Sequence, residues 1–185
     1  MTLGPPFTRI LVAAQAGGDW AWQELYRSVA PTILGYLRSR GAPDPDDLLG
    51  EVFLQVVRDV GSFEGGEHDF RAWVLTIAHH RLLDDVRYRA RRPADPAAGE
   101  MLVAAGPAGD AEDDALRGLE LDRLRRALTG LSPDQQDVLM LRLFGELTIE
   151  EVAGIVGKRP GAVKALQRRG LAALKRILSS LAVTL

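Results

Sequence analysis

The sequence predicts an all-α protein made of two small helical domains joined by a flexible acidic linker. Three observations carry that expectation. Apolar residues recur at intervals of three and four wherever they cluster, no stretch alternates with period two for long enough to form a strand, and residues 93–114 lose apolar period altogether. That last stretch, PADPAAGEMLVAAGPAGDAEDD, mixes Pro, Gly, Ala and acids like a chain that cannot bury a core. Only its short MLVAA is apolar. The expected domains are therefore residues 1–92 and 115–185, with 93–114 as the tether.

A short first helix is expected over Thr8 to Ala16. Asp19 then caps a longer one whose apolar face is Trp22, Leu25, Tyr26, Val29, Ile33, Leu34 and Leu37, with Pro31 expected to kink or restart it. The breaker-rich RGAPDPDD turns the chain into a helix bearing Leu48, Leu49, Val52, Phe53, Val56 and Val57, which ends near Gly61. SFEGGEHD reads as a loop. Phe70, Trp73, Val74, Ile77, Ala78 and Leu82 then mark a long helix that runs into RYRARR. Beyond the tether, Leu116, Leu119, Leu124 and Leu128 form one stripe. Ser132-Pro133 supplies a cap followed by proline at the first helical position, before Val138, Leu139, Leu141 and Leu143. Thr148 with Glu151 three residues later makes a capping box for the next helix.

The formal net charge of −2 conceals a strong asymmetry. Residues 1–92 carry 11 basic and 12 acidic side chains, residues 93–122 carry 1 and 8, and residues 123–185 carry 11 and 5. A basic C-terminal piece behind an acidic one suits contact with a polyanion, because Lys and Arg on phosphates release condensed counterions. With no cysteine, neither a disulfide framework nor a thiolate metal site is possible. His79 and His80 diverge by about 100° around a helix and cannot chelate one ion together. Asp84 and Asp85 diverge likewise, without a nucleophile, an orienting group or a phosphate loop beside them. No metal, cofactor or enzymatic activity is expected. No apolar run reaches the ~18 residues of a membrane span, and MTLGPPFTRI lacks the order of a secretory signal, so a cytoplasmic protein without membrane insertion is expected.

Thr148 to Gly170, TIEEVAGIVGKRPGAVKALQRRG, carries the most specific pattern. A helix-turn-helix needs a small residue where its helices cross, a turn residue tolerant of positive φ, and an aliphatic side chain returned from the second helix. Ala153, Gly157 and Val163 have those types at suitable intervals, and Ile149, Val152, Val156 and Leu166 complete the inner faces. Val163, Leu166, Gly170 and Leu174 point inward on the wheel, which leaves Gly161, Lys164, Ala165 and Arg168 on the edge that would enter a major groove. Seven basic residues and no acidic one lie between Gly157 and Arg176. The plainer alternative is a helical hairpin with a solvated basic face.

DDLLGEVFLQVVRDVGSF followed by FRAWVLTIAHHRLLDDVRYRARR resembles region two of bacterial sigma factors of the extracytoplasmic-function (ECF) group, in the sigma-70 family. LTGLSPDQQDVLMLRLFGELTIEEVAGIVGKRPGAVKALQRRGLAALKR resembles their region four. The resemblance implies a subunit that directs RNA polymerase core to promoters. It implies that Asp47, Leu48, Glu51 and Gln55 bind the clamp helices of the largest subunit, and that region four meets the flap of the second-largest. Minus-ten DNA would be melted and held by Phe63, Glu64, Gly65, Gly66, Phe70, Arg71, Trp73, His80, Arg81 and Arg87, with Arg89 nearby. Aromatic platforms and backbone cations are what capture of an unstacked strand needs.

Minus-35 DNA would meet Arg159, Gly161, Ala162, Lys164, Ala165, Gln167, Arg168 and Arg169. Departures from the family pattern bear on this surface. Ala162, Ala165 and Leu166 stand where Thr, Ser and Arg are frequent, which leans readout toward thymine methyls and DNA shape. His80 and Gly50 replace the frequent Asn and Gln. The resemblance also implies an anti-sigma partner, and a tether whose Asp110, Glu112, Asp113 and Asp114 mimic nucleic acid in the polymerase channels. Two other readings stay open at this point: an autonomous helix-turn-helix regulator with a dimerising or ligand-binding N-terminal domain, and a polymerase-binding decoy.

Overall fold

The structure, a computed structural model, describes residues 6–91 and 127–183, with side chains to residue 180. Its elements are α1 (Phe7–Gln15), α2 (Asp19–Ser39), α3 (Pro45–Asp59), a 3-10 turn (Val60–Ser62), α4 (Glu67–Arg91), α5 (Pro133–Gly145), α6 (Ile149–Ile155) and α7 (Pro160–Val183), with no strand among the described residues. They group into two compact units, α1 to α4 in one and α5 to α7 in the other. The expected tether 93–114, its MLVAA, its acids at 110 and 112–114, and the stripe residues Leu116, Leu119 and Leu124 lie outside the described residues.

The first unit is built from four amphipathic stripes. Ile10, Leu11 and Ala14 of α1, Leu25, Val29, Ile33 and Leu37 of α2, Leu49, Val52 and Val56 of α3, and Phe70, Val74, Ala78 and Leu82 of α4 are all buried. α2 starts at Asp19 itself, so its cap position falls one residue earlier than expected, at Gly18. The Gly18 carbonyl accepts from the Trp22 N–H, so Asp19 sits in the first turn, where its charge faces the positive helix end. Pro31 neither ends nor restarts α2, since the helix runs unbroken through it between buried Ala30 and Ile33. Tertiary burial on both sides offsets the one backbone bond that proline removes.

α3 begins at Asp44, whose carboxylate accepts from the Asp47 N–H at 3.0 Å, with Pro45 at the first helical position. His79 is buried and hydrogen-bonded to the Tyr36 hydroxyl at 2.8 Å, so it is a satisfied interior side chain, while His80 points to solvent.

In the second unit both expected starts are present, each as a full capping box: Ser132 with Gln135 on α5, and Thr148 with Glu151 on α6. Val138, Leu141, Leu147, Val152 and Val163 make the centre of this unit. Leu143, expected on the inward stripe of α5, is 68% exposed instead. It lies beyond the face that α7 covers.

Candidate nucleic-acid interface

α6, its turn and the start of α7 form a helix-turn-helix. The Lys158 N–H reaches back to the Ala153 carbonyl at 3.0 Å and Gly157 has φ 64°, which closes α6 with a left-handed C-terminal cap. Ala153 is buried at the crossing, and Val163 and Leu166 return from α7 to fill the space between the helices. A Cβ at Gly170 would stand 3.0 Å from the Leu139 Cδ1 and 3.4 Å from the Gln135 Cβ, so glycine sets how closely α7 lies on α5.

With that face turned inward, Arg159, Gly161, Ala162, Lys164, Arg168 and Arg169 are exposed, and Ala165 and Gln167 are half-buried. Lys158 is held by Asp134 at 2.9 Å. Arg159, Lys164, Arg168 and Arg169 have no ion-pair partner among the described residues, which leaves four cations and two alanine methyls on one surface.

The second surface lies on the loop 63–66 and α4. The Phe63 ring stacks on Trp73 with centroids 5.0 Å apart and 28° between planes, and both rings are half-buried. Phe70 meets Phe63 edge-on at 5.5 Å and is only 1% exposed. This corrects the expectation for Phe70, which props the other two rings and cannot itself offer a face to a base. Gly65 and Gly66 are not a loose turn either. Gly65 has φ 151°, a Cβ there would come within 2.9 Å of the Asp69 Cβ, and the Gly66 N–H donates to Asp69 Oδ2 at 2.8 Å. Glu64 is exposed beside them, and Arg71 pairs with Glu67 at 3.5 Å.

Trp73, His80 and Arg87 follow one another at seven-residue intervals, so they share one stripe of α4, about 21 Å long at 1.5 Å per residue. Arg87 pairs with Asp84 at 3.2 Å, a pair exposed enough to exchange partners, and Arg89 pairs with the largely buried Asp85 at 3.0 Å. Arg81 departs from this stripe. Its Nε and Nη2 donate to Gln55 Oε1 at 3.1 and 2.9 Å, and its Nη1 lies 3.9 Å from Glu51 Oε2. A position 100° away from His80 turns its guanidinium to α3.

On α3, Asp47, Glu51 and Gln55 fall four residues apart on one edge, the first two exposed and the third half-buried. Leu48 is only 6% exposed and belongs to the interior, so it leaves the proposed protein-binding edge. Sequence reasoning missed Leu54, which is 64% exposed on α3, and set Val57 on the inward stripe, whereas it is 51% exposed. Val57 lines a shallow groove of about 330 Å³ with Trp22, Tyr26 and Phe53. An apolar residue inside an apolar helix carries no mark of which side it faces. Among the described residues no group of three or more His, Asp or Glu is placed to hold a metal ion, and no helix is long and apolar enough to cross a membrane.

Comparison with known proteins identifies both halves. The sequence profile of sigma-70 region 2 matches residues 25–92 and that of sigma-70 region 4 matches residues 121–174. The ECF RNA polymerase sigma factor BldN of Streptomyces coelicolor is 35% identical over 167 residues, which is 89% of this chain and 63% of BldN. The RNA polymerase sigma factor CarQ of Myxococcus xanthus is 30% identical over 167 residues, 89% of this chain and 93% of CarQ. Among solved structures, the sigma factor RpoE from Bartonella quintana in complex with the anti-sigma factor NepR superposes with TM-score 0.69 at 25% identity, over 85% of this chain and 96% of RpoE. CnrH in complex with the cytosolic domain of CnrY shares the fold, with TM-score 0.65 at 21% identity over 92% of this chain and 96% of CnrH. The chain belongs to the ECF group of the sigma-70 family of RNA polymerase sigma factors.

Proposed function

We propose that this sigma factor divides promoter recognition between its two units, residues 1–92 for the minus-ten element and 115–185 for the minus-35 element, with 93–114 as tether. Core polymerase performs the nucleotidyl transfer, and the chain has no enzymatic activity of its own. It works in the cytoplasm, where the polymerase is.

In the second unit, Lys164 and Arg168, one helical turn apart, bind phosphates together with Arg159 and Arg169, while Ala162 and Ala165 face the bases. In the first, a displaced strand lies along Trp73, His80 and Arg87, and an unstacked base is received at the Phe63–Trp73 stack. Asp47, Glu51 and Gln55, with Leu54 beside them, dock on the clamp helices of the largest subunit. The pairing of an acidic edge with an exposed apolar side chain supports a protein partner there rather than DNA. An anti-sigma protein that covers this same edge would hold the chain inactive, a reading supported by the capture of RpoE with NepR.

The observation that carries this reading is the set of cations without an ion-pair partner at the start and on the outer edge of α7, in a helix-turn-helix whose crossing is packed by Ala153, Val163 and Leu166. The test is run-off transcription with core polymerase. Lys164→Ala with Arg168→Ala should abolish minus-35-dependent initiation and leave core binding unchanged. Loss of core binding instead would place the DNA face elsewhere.

A further inference from the structure

α1 lies before residues 25–92, the span matched to region 2, and none of the promoter contacts described above involves it. Its last residue nevertheless reaches the loop that carries Phe63. The Gln15 Nε2 donates to the Val60 carbonyl at 2.9 Å and to the Phe63 carbonyl at 3.0 Å. The Phe63 N–H also donates to the Val60 carbonyl, at 3.0 Å, so one side-chain amide fastens both ends of the turn. At the other end of α1, Phe7 packs on Phe70 with centroids 5.5 Å apart. From the far side, Asp69 holds Gly66. The Phe63 ring is thus stacked on Trp73 by a backbone clamped at both flanks. Gln15 is itself exposed, so its amide is not there to satisfy a buried group of its own.

We propose that Gln15 is a positioning residue for single-strand capture: it holds the 60–63 turn so that the Phe63–Trp73 stack is ready for a base before the strand arrives. This rests on the reading of that stack as the minus-ten site. Pre-ordering the receiving group removes its ordering cost from the binding step.

The experiment uses the full chain with core polymerase on a promoter where the wild-type complex initiates, carrying 2-aminopurine at the minus-ten adenines. Fluorescence rises when the base unstacks. Gln15→Glu is isosteric but presents no N–H to the two carbonyls, and Gln15→Ala removes the group. Each should lower the amplitude or rate of the rise by up to about tenfold, because the turn must then be ordered at the moment of capture. Gln15→Lys restores donors and should recover most of the signal, with the thermal midpoint and core affinity of all three variants close to wild type.

Phe63→Ala separates the two layers of the argument. If it leaves the fluorescence unchanged, the stack is not the receiving site and the proposal goes with it. If it suppresses the signal while Gln15→Glu does not, the proposal alone is overturned. A loss in Gln15→Glu that Lys does not restore, accompanied by a lower thermal midpoint, would also overturn it, since Gln15 would then be only a folding contact.

Discussion

Phe63, Phe70 and Trp73 are neighbours in one aromatic cluster, yet burial gives them separate roles. Phe70→Ala should destabilise the first unit by about 3–5 kcal/mol, because the cavity left among Phe7, Phe63 and Trp73 cannot collapse fully, and urea denaturation would read this as a lower midpoint. Spacing alone placed Phe70 and Trp73 on the same side of α4. It could not tell which ring reaches the interior, since that depends on α1 arriving from the other side. The same limit explains Leu48 and Arg81. Both lie within a turn of residues that are correctly on an exposed edge, and a rotation of 100° is enough to change what they meet. Gln15 was out of reach of any local reading, because its two acceptors lie 45 and 48 residues along the chain.

Among the elements, those that announce themselves by short-range chemistry were the most legible. Ser132-Pro133, Thr148 with Glu151, and Gly157 are motifs a few residues long, and each occupies the expected place in α5, α6 and their turns. α6 has only seven residues, too few to persist without its cap and its packing. Thr148→Ala should therefore destabilise the second unit by about 1 kcal/mol, seen as an earlier transition in chemical denaturation, and Thr148→Ser should restore most of it. Pro31 shows the reverse case. A breaker read locally pointed to a kink or restart, but burial of α2 on both sides of the proline keeps the helix whole.

For the whole molecule, the charge partition has a measurable counterpart in salt dependence. If Lys164 and Arg168 each neutralise a phosphate, replacing both by Ala should flatten the plot of log affinity against log salt for promoter binding by the polymerase complex by about 1.8. The free protein should bind duplex promoter weakly, because its two DNA surfaces act as one ligand only when the polymerase fixes their separation. A nanomolar specific affinity for the isolated chain would contradict this. The two-domain division was legible because composition changes abruptly at residue 93, whereas the half-length of polypeptide on either side had to be folded to show which residues share a surface.

The glycine at 170 has a consequence for how such a protein diversifies. Held against α5 at Gly170 and packed behind by Val163 and Leu166, α7 makes none of its packing through the exposed positions 161, 162, 164 and 168. Mutation can therefore explore positions 161 and 162 with little penalty to the scaffold while Lys164 and Arg168 keep the phosphates, so descendants of one gene could be readdressed to new genomic targets while the chassis stays the same.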